Sequence, residues 1–312
     1  MLDISHKYPT LRTATAEASL TLSEATLQII RDRRVPKGDP LEIARAAAVM
    51  AAKQTSSIIP YCHPIPITFV GVEFELGDAS IKLSATVKAI ASTGVEMEAM
   101  TAASVAALTL YDMLKMLDQS MTIAGVRLVN KRGGKSDFGE KPDRVLRAAV
   151  LVMSDTIASG RKQDLSGRAI VDRLKKEELE VVEYQIIPDD RDTIVARICH
   201  FVDDLKLDLV VTTGGTGFSP RDNTPEAMAA IIDREIPGVP EAIRAYGQLR
   251  TPYSMLSRGR AGLRNQTLIV NLPGSRKGVE ESLDLLFPAL LHAFPMIQGQ
   301  SGWNKSGSES SQ

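Results

Sequence analysis

A chain of 312 residues that is 44% hydrophobic holds one large domain or two ordinary ones, with apolar material enough for real cores. Lys and Arg total 37 against 38 Asp and Glu, so no global basic field exists to recruit nucleic acid. Two cysteines, Cys62 and Cys199, exclude a disulfide framework and a zinc ribbon, and no run reaches the roughly 18 apolar residues of a membrane span. The opening MLDISHKYPTLR lacks the apolar stretch of a signal peptide, which makes a soluble cytoplasmic protein without nucleic-acid or membrane partners the expectation.

In chain order, DPLEIARAAAVMAAKQT predicts a helix with Asp39 as N-cap and Pro40 at its first position. VGVEFELGDASIKLSATV predicts a hairpin: Val70, Val72, Phe74 and Leu76 alternate, Gly77-Asp78 turns, and Ile81, Leu83, Ala85 and Val87 alternate back. EAMTAASVAALTLYDMLKML predicts a second long helix whose small residues permit close packing. Helices on one face of an antiparallel sheet make an α+β domain.

Several polar residues stand out in this half. Taken alone, His63 in IIPYCHPIPI reads as a buried, hydrogen-bonded histidine, and Lys37 in PKGD as a solvated turn lysine. Cys62 and His63 lack sequence neighbours that would complete a metal site. Glu96 and Glu98 suit a helix N-terminus on electrostatic grounds alone, and Asp112 with Lys115 has the spacing of a surface ion pair. On one straight helix Glu98 and Asp112 lie about 20 Å apart, too far for one small ligand. A site that uses both is therefore built across a subunit interface.

The segments KGD, IPYCHP, TGVEMEAMTAASVAALTLYDMLK and VRLVNKRGGKSD closely resemble the MoaC family, cyclic pyranopterin monophosphate synthase, and the likeness runs from LDIS to GGKSD. The resemblance implies a ferredoxin-like α+β fold, hexamers with pockets between subunits, and conversion of a cyclised GTP derivative to cyclic pyranopterin monophosphate plus diphosphate. By motif, Lys37, Asp112 and Lys115 take catalytic places, while Arg12, His63, Glu96, Met97, Glu98 and Lys131 take substrate-pocket places. Arg12, Lys37, Lys115 and Lys131 suit a triphosphate. A lysine crowded by cations is expected to have a lowered pKa and to serve as acid or base, with Asp112 orienting Lys115. Glu96 or Glu98 suits the guanine-like edge of the pterin. Tyr61 departs from the family's aliphatic habit, and no permanently bound cofactor is expected in this half.

NKRGGKSDFGEKPDR, Asn130–Arg144, reads as a linker. Its GGKS is no phosphate loop, because Val129 stands where a glycine is required. Beyond it strands and helices alternate. AAVLVM, VVEYQII, LDLVVTT and QTLIVNLPG predict strands. SGRAIVDRLKKE, capped by Ser166, and DTIVARICHFVDDLK, with Ile194, Ile198, Phe201 and Leu205 on one face, predict helices, as do TPEAMAAIID and a long final stretch through SLDLLFPALLHAF. The order implies an α/β doubly wound, mostly parallel sheet with ligands beyond the carboxyl ends of its strands.

Three turns fall at those ends: MSDTIASGRKQDLSG, TTGGTGFSPRDNTPEA and NLPGSRKG. Gly214, Gly215 and Gly217 free the backbone to turn with its N–H groups exposed, and Thr224 as cap with Pro225 behind it places a helix N-terminus at the turn. That is an anion cradle, in which Asp222 is out of place unless it holds a cation. Neither a dinucleotide fingerprint nor a Walker loop is present, which excludes a Rossmann oxidoreductase.

Together the three turns resemble the MogA/MoaB family and gephyrin-type domains over about Arg147 to Gln298. The resemblance implies molybdopterin adenylyltransferase activity with Mg²⁺ and ATP, usually in trimers. It makes Asp222 the essential acid and metal residue and Asp189 the second acid. Ser154, Asp155, Gly214, Gly215, Thr216, Gly217, Ser257, Pro273, Gly274 and Ser275 fall at pocket positions. The whole reads as a bifunctional fusion for molybdenum cofactor biosynthesis: residues 1–142 MoaC-like, 146–299 MogA/MoaB-like and 300–312 a disordered tail. Its expected partners are the GTP-derived precursor, molybdopterin and ATP, and a homo-oligomer with threefold symmetry, a hexamer, reconciles both halves. The alternative is a second half that serves only as a pterin-binding, oligomer-building or scaffold module.

Overall fold

The computed structural model describes residues 1–134, 137, 139 and 142–299. Part of the linker stretch, and the tail expected over 300–312, lie outside the described residues. The chain forms two compact units, Met1–Asp137 and Phe138–Gln312.

In the first unit, β1 (Thr10–Thr21) leads to helices α1 (Glu24–Arg31) and α2 (Pro40–Ile58). The hairpin β2 (Ile67–Leu76) and β3 (Ser80–Ala91), helix α3 (Glu96–Leu114) and β4 (Thr122–Arg132) follow. The sheet order is β2-β3-β1-β4, and every neighbouring pair is antiparallel. The α+β expectation therefore holds. Asp39 caps α2 as expected, accepting from Leu41 N at 3.0 Å and Glu42 N at 3.3 Å, and Pro40 occupies the first turn. One face of β1 buries Ala14, Ala16, Ala18 and Leu20, and β3 buries every second residue from Ile81 to Ala91. Against this surface α3 presents Ala99, Ala102, Ala103, Ala106 and Ala107 in the same core. Alanine on both sides lets helix and sheet approach closely, so packing compensates for the weak strand propensity of alanine.

The second unit carries a six-stranded sheet in the order β6-β5-β7-β10-β9-β8. The strands are β5 (Arg147–Met153), β6 (Glu180–Ile187), β7 (Leu209–Thr213), β8 (Arg234–Glu235), β9 (Ala261–Arg264) and β10 (Thr267–Leu272). β6, β5, β7 and β10 run parallel, while β9 and β8 form an antiparallel edge. The helices are α4 (Asp155–Ala158), α5 (Ser166–Lys176), α6 (Arg191–Cys199), α7 (Thr224–Ile231), α8 (Gly238–Gln248), α9 (Arg276–Leu286) and α10 (Ala293–Ile297).

Alternate residues of the central strands enter opposite cores. Ala148 and Val150 join Ile170 of α5 and Leu283 of α9, whereas Ala149 and Leu151 join Ile194 of α6 and Met228 of α7. Burial on both faces is why these strands read as unbroken apolar runs.

Four expectations are corrected. Asn130–Arg132, read as the start of the linker, are the last residues of β4 and pair with β1. Ser166 does not cap α5: Asp164 Oδ1 accepts from Gly167 N at 2.9 Å and does that work. Thr224 is the first residue of α7 and makes no cap bond; Asn223 precedes it, also without a side-chain cap bond. The long final helix is broken after Leu286, because Pro288 lacks an N–H to continue it.

Candidate functional site

In the first unit the residues predicted for the pocket fall into two groups. Lys37, just before α2, donates from Nζ to Asp112 O at 2.8 Å and to Asp112 Oδ2 at 3.1 Å. Lys115 Nζ meets the other carboxylate oxygen, Asp112 Oδ1, at 2.6 Å. Hydrogen bonds from Lys115 and then Lys37 hold the Asp112 carboxyl below its ordinary range. The same carboxylate raises Lys115, through the hydrogen bond and its charge. The expectation of a lowered lysine pKa is thus reversed within one chain, because Asp112 balances the two cations.

The second group gathers at the opposite end of α3. Lys131 Nζ on β4 reaches Glu96 Oε1 at 3.5 Å, and Arg12 Nε donates to Ala91 O at 3.2 Å. His63 Nε2 donates to Leu2 O at 2.9 Å, which answers the reading of His63 as a hydrogen-bonded histidine, although the ring is only half-buried. Met97 is exposed beside this group. Glu98 is 2% exposed; burial raises its pKa, and Oε2 has no hydrogen-bond partner. Its other oxygen accepts from Cys62 Sγ at 3.4 Å. Burial, then Glu98, pushes the Cys62 thiol up to about 11. Sequence reasoning weighed Cys62 only as a metal ligand and missed this contact. One helix carries Glu96, Glu98 and Asp112, so a single chain does not bring the two groups together.

The second unit assembles its candidate residues at the carboxyl ends of the parallel strands. Asp155 N donates to Asp189 Oδ2 and Asp189 N donates to Asp155 Oδ1, both at 3.2 Å, which ties the ends of β5 and β6. Ser154 Oγ accepts from Ile157 N at 3.4 Å and starts the short α4. Gly214 and Gly215 have φ of +103° and +62°, a region that side chains resist. Gly217 lacks that constraint; a Cβ there would lie 2.9 Å from Asp222 Oδ2, so any side chain at this position would displace the carboxylate. A Cβ on Gly274 would lie 3.4 Å from Gly214 Cα, and Thr213 Oγ1 donates to Pro273 O at 2.6 Å, which sets the loop after β10 against the glycine turn. Ser275 Oγ accepts from Gly278 N at 3.2 Å and caps α9, and Ser257 Oγ accepts from Gly259 N at 3.4 Å.

Charge converges here. Asp189 is raised by burial first, then by the negative charges of Asp155 and Asp222. Arg221 Nη2 donates to Asp155 Oδ2 at 2.6 Å and partly offsets that field. Ser219 N donates to Asp222 Oδ2 at 2.7 Å. Two buried polar atoms at the strand ends, Thr224 Oγ1 and Asn271 Oδ1, have no hydrogen-bond partner. Among the described residues no group of three or more His, Cys, Asp or Glu forms a ready-made metal cluster. Mg²⁺ does not require one: it commonly takes one or two carboxylates, completing its shell with water and substrate phosphate. The hard oxygen donors of Asp222 and Asp189 fit that demand. Among the described residues no helix is long and apolar enough to cross a membrane.

Comparison with known proteins divides the chain in the same way. Residues 1–134 match the MoaC family, and residues 149–292 match the family described as "Probable molybdopterin binding domain". A molybdenum cofactor biosynthesis bifunctional protein of Chlorobaculum tepidum is 42% identical over 299 residues, covering 96% of this chain and 95% of that protein. A cyclic pyranopterin monophosphate synthase of Pelobacter propionicus is 53% identical over 138 residues, covering 44% of this chain and 86% of its own length. The crystal structure of a molybdopterin biosynthesis enzyme, MoaB, from Thermus thermophilus is 43% identical, covers 50% of this chain and 98% of its own, and superposes with a TM-score of 0.48.

Proposed function

The chain belongs to the family of bifunctional molybdenum cofactor biosynthesis proteins, and on that premise we propose that each unit is an enzyme. The first converts a cyclised GTP derivative to cyclic pyranopterin monophosphate and diphosphate; the second transfers AMP from Mg-ATP to the phosphate of molybdopterin. The split strand order β2-β3-β1-β4 supports a ferredoxin-like first unit.

In the first unit, Arg12 and Lys131 bind the triphosphate, and Glu96 or Glu98 takes the pterin edge. A neutral Glu98, as burial favours, offers an O–H as well as a carbonyl oxygen to a ring amide. Lys37 and Lys115, held by Asp112, move the protons of the rearrangement. About 20 Å of helix separates Glu98 from Asp112, so a second copy of the chain completes the pocket. Inside it, partner cations and loss of water lower the Lys115 pKa that Asp112 raises in the single chain. A homo-oligomer follows from this reading, and threefold symmetry is the arrangement that would suit both units.

In the second unit, the glycine turn after β7 binds phosphates through backbone N–H groups at the start of α7. Asp222 and Asp189 hold the Mg²⁺ that arrives with ATP, which supplies neutralising charge to the leaving diphosphate. The molybdopterin phosphate is itself the nucleophile, so the protein's task is positioning and charge balance.

The observation that carries the second activity is the Asp155, Asp189 and Asp222 arrangement around a turn whose Gly214 and Gly215 hold a backbone conformation that side chains resist. The test is adenylyl transfer by the full chain with molybdopterin and Mg-ATP, alongside Asp222→Ala. Product from the wild type and at least about 100-fold less from the variant is expected, the scale for losing a key electrostatic group. A wild-type protein that binds molybdopterin yet yields no product would make this unit a binding module.

A further inference from the structure

In the segment MLSRGRAG, Ser257 is followed by an arginine with an unusual set of contacts. Arg258 lies between a short 3₁₀ turn, Pro252–Leu256, and β9. Its backbone N–H donates to Thr216 O at 3.0 Å. Its side chain then spans the whole Asp222 turn: Nε donates to Gly217 O and Nη2 to Asp222 O, both at 2.7 Å. Nη1 donates to Glu226 Oε1 at 2.5 Å, in the first turn of α7, and the guanidinium lies 5.9 Å from the centre of the Phe218 ring. One rigid, planar fork therefore fixes both ends of the turn and the helix that follows.

An arginine beside a phosphate cradle ordinarily binds the anion. Here Nε, Nη1 and Nη2 each donate to a protein oxygen, and two of those oxygens are backbone carbonyls of the turn itself. The turn has a hydrogen bond of its own, Asp222 N to Ser219 O at 2.8 Å, besides the Ser219 N to Asp222 Oδ2 bond. Neither anchors it to the loop that precedes β9. We infer that Arg258 is a positioning residue for adenylyl transfer: it holds Gly217 O and Asp222 O so that the Asp222 carboxylate stays against Gly217 at the mouth of the cradle. The inference rests on the adenylyltransferase reading of this unit. Lysine cannot substitute, because a single ammonium cannot meet both carbonyls and Glu226 in a planar fork.

The test uses Arg258→Ala and Arg258→Lys in the full chain, with two readouts. In steady-state adenylylation both variants are expected to lose roughly 100-fold in kcat, the scale for a misplaced catalytic group, with KM for molybdopterin little changed. Methylguanidinium added to Arg258→Ala restores part of that rate and restores nothing to Asp222→Ala. In hydrogen–deuterium exchange without substrates, the peptide covering residues 216–224 loses protection in both variants. Wild-type kcat in either variant would overturn the assignment, as would a defect confined to KM for ATP, which would make Arg258 an anion-binding residue. If the wild type forms no adenylylated product, the activity reading fails by itself. Exchange then decides the positioning role, and unchanged protection of 216–224 refutes it. Should the Ala variant not fold, the Lys variant judges the proposal by the same two readouts.

Discussion

Gly215→Ala tests the cradle most directly. Gly215 sits at φ +62°, and a Cβ built there would press into Thr224 Oγ1, lie 3.1 Å from Thr224 Cβ and stand 3.4 Å from Asp189 Oδ1. The left-handed backbone costs an alanine roughly 1–2 kcal/mol. The overlap with Thr224, a side chain 0% exposed, adds about 1–3 kcal/mol of overpacking. The expected loss is therefore about 2–5 kcal/mol, confined to the second unit. Urea unfolding followed by far-UV circular dichroism and fitted as two transitions reads it, since the units need not unfold together. Thr224→Ala removes the hydroxyl that the new methyl strikes, so the double variant should recover about 1 kcal/mol or more of coupling energy while the backbone term remains. A cycle that is additive to within about 0.5 kcal/mol, the usual scatter for independent sites, would refute the steric account.

Two further predictions concern the first unit. Asp118 is buried and accepts from Ser23 N at 2.7 Å, Ser120 N at 2.8 Å and Ser120 Oγ at 2.6 Å, bonds that hold its pKa far down. Asp118→Asn should cost about 3 kcal/mol near neutral pH, the upper range for hydrogen bonds to a charged group. A depressed carboxylate stabilises above its unfolded pKa, so this advantage should shrink in denaturation curves as pH falls below about 4. Glu98 has the opposite sign: its folded pKa is raised, so its favourable contribution is complete below the unfolded value and is lost as pH rises through the folded one. Glu98→Gln should flatten that decline, and equal slopes for both proteins between acid and neutral pH would show that Glu98 is not the cause.

Much of the second unit was legible because each central strand is buried on both sides, which forces continuous apolar runs between turn residues. The hairpin in the first unit was equally plain, since its alternation has one period and one orientation. β4 was not, because nearly all of its positions are exposed and no alternation marks it. β1 hid its period behind alanines, which sequence reasoning does not weigh as strand formers. Thr224 looked like a cap because its neighbours fit the pattern, yet the helix begins one residue earlier than a Thr224 cap would require and the hydroxyl is buried without a partner.

By itself the sequence determined the chemistry available: two acids and a glycine turn at strand ends in one unit, and lysines and carboxylates in the other. These follow from local pattern, since helix period, strand period and turn composition act over a few residues. Only the tertiary structure decided which groups meet. Lys37 reaches Asp112 across 75 residues, Cys62 reaches Glu98 across 36, and Arg258 grips a turn 36 residues before it at Asp222. Hydrogen bonds and burial act over a few ångströms of space, and no spacing along the chain encodes that distance.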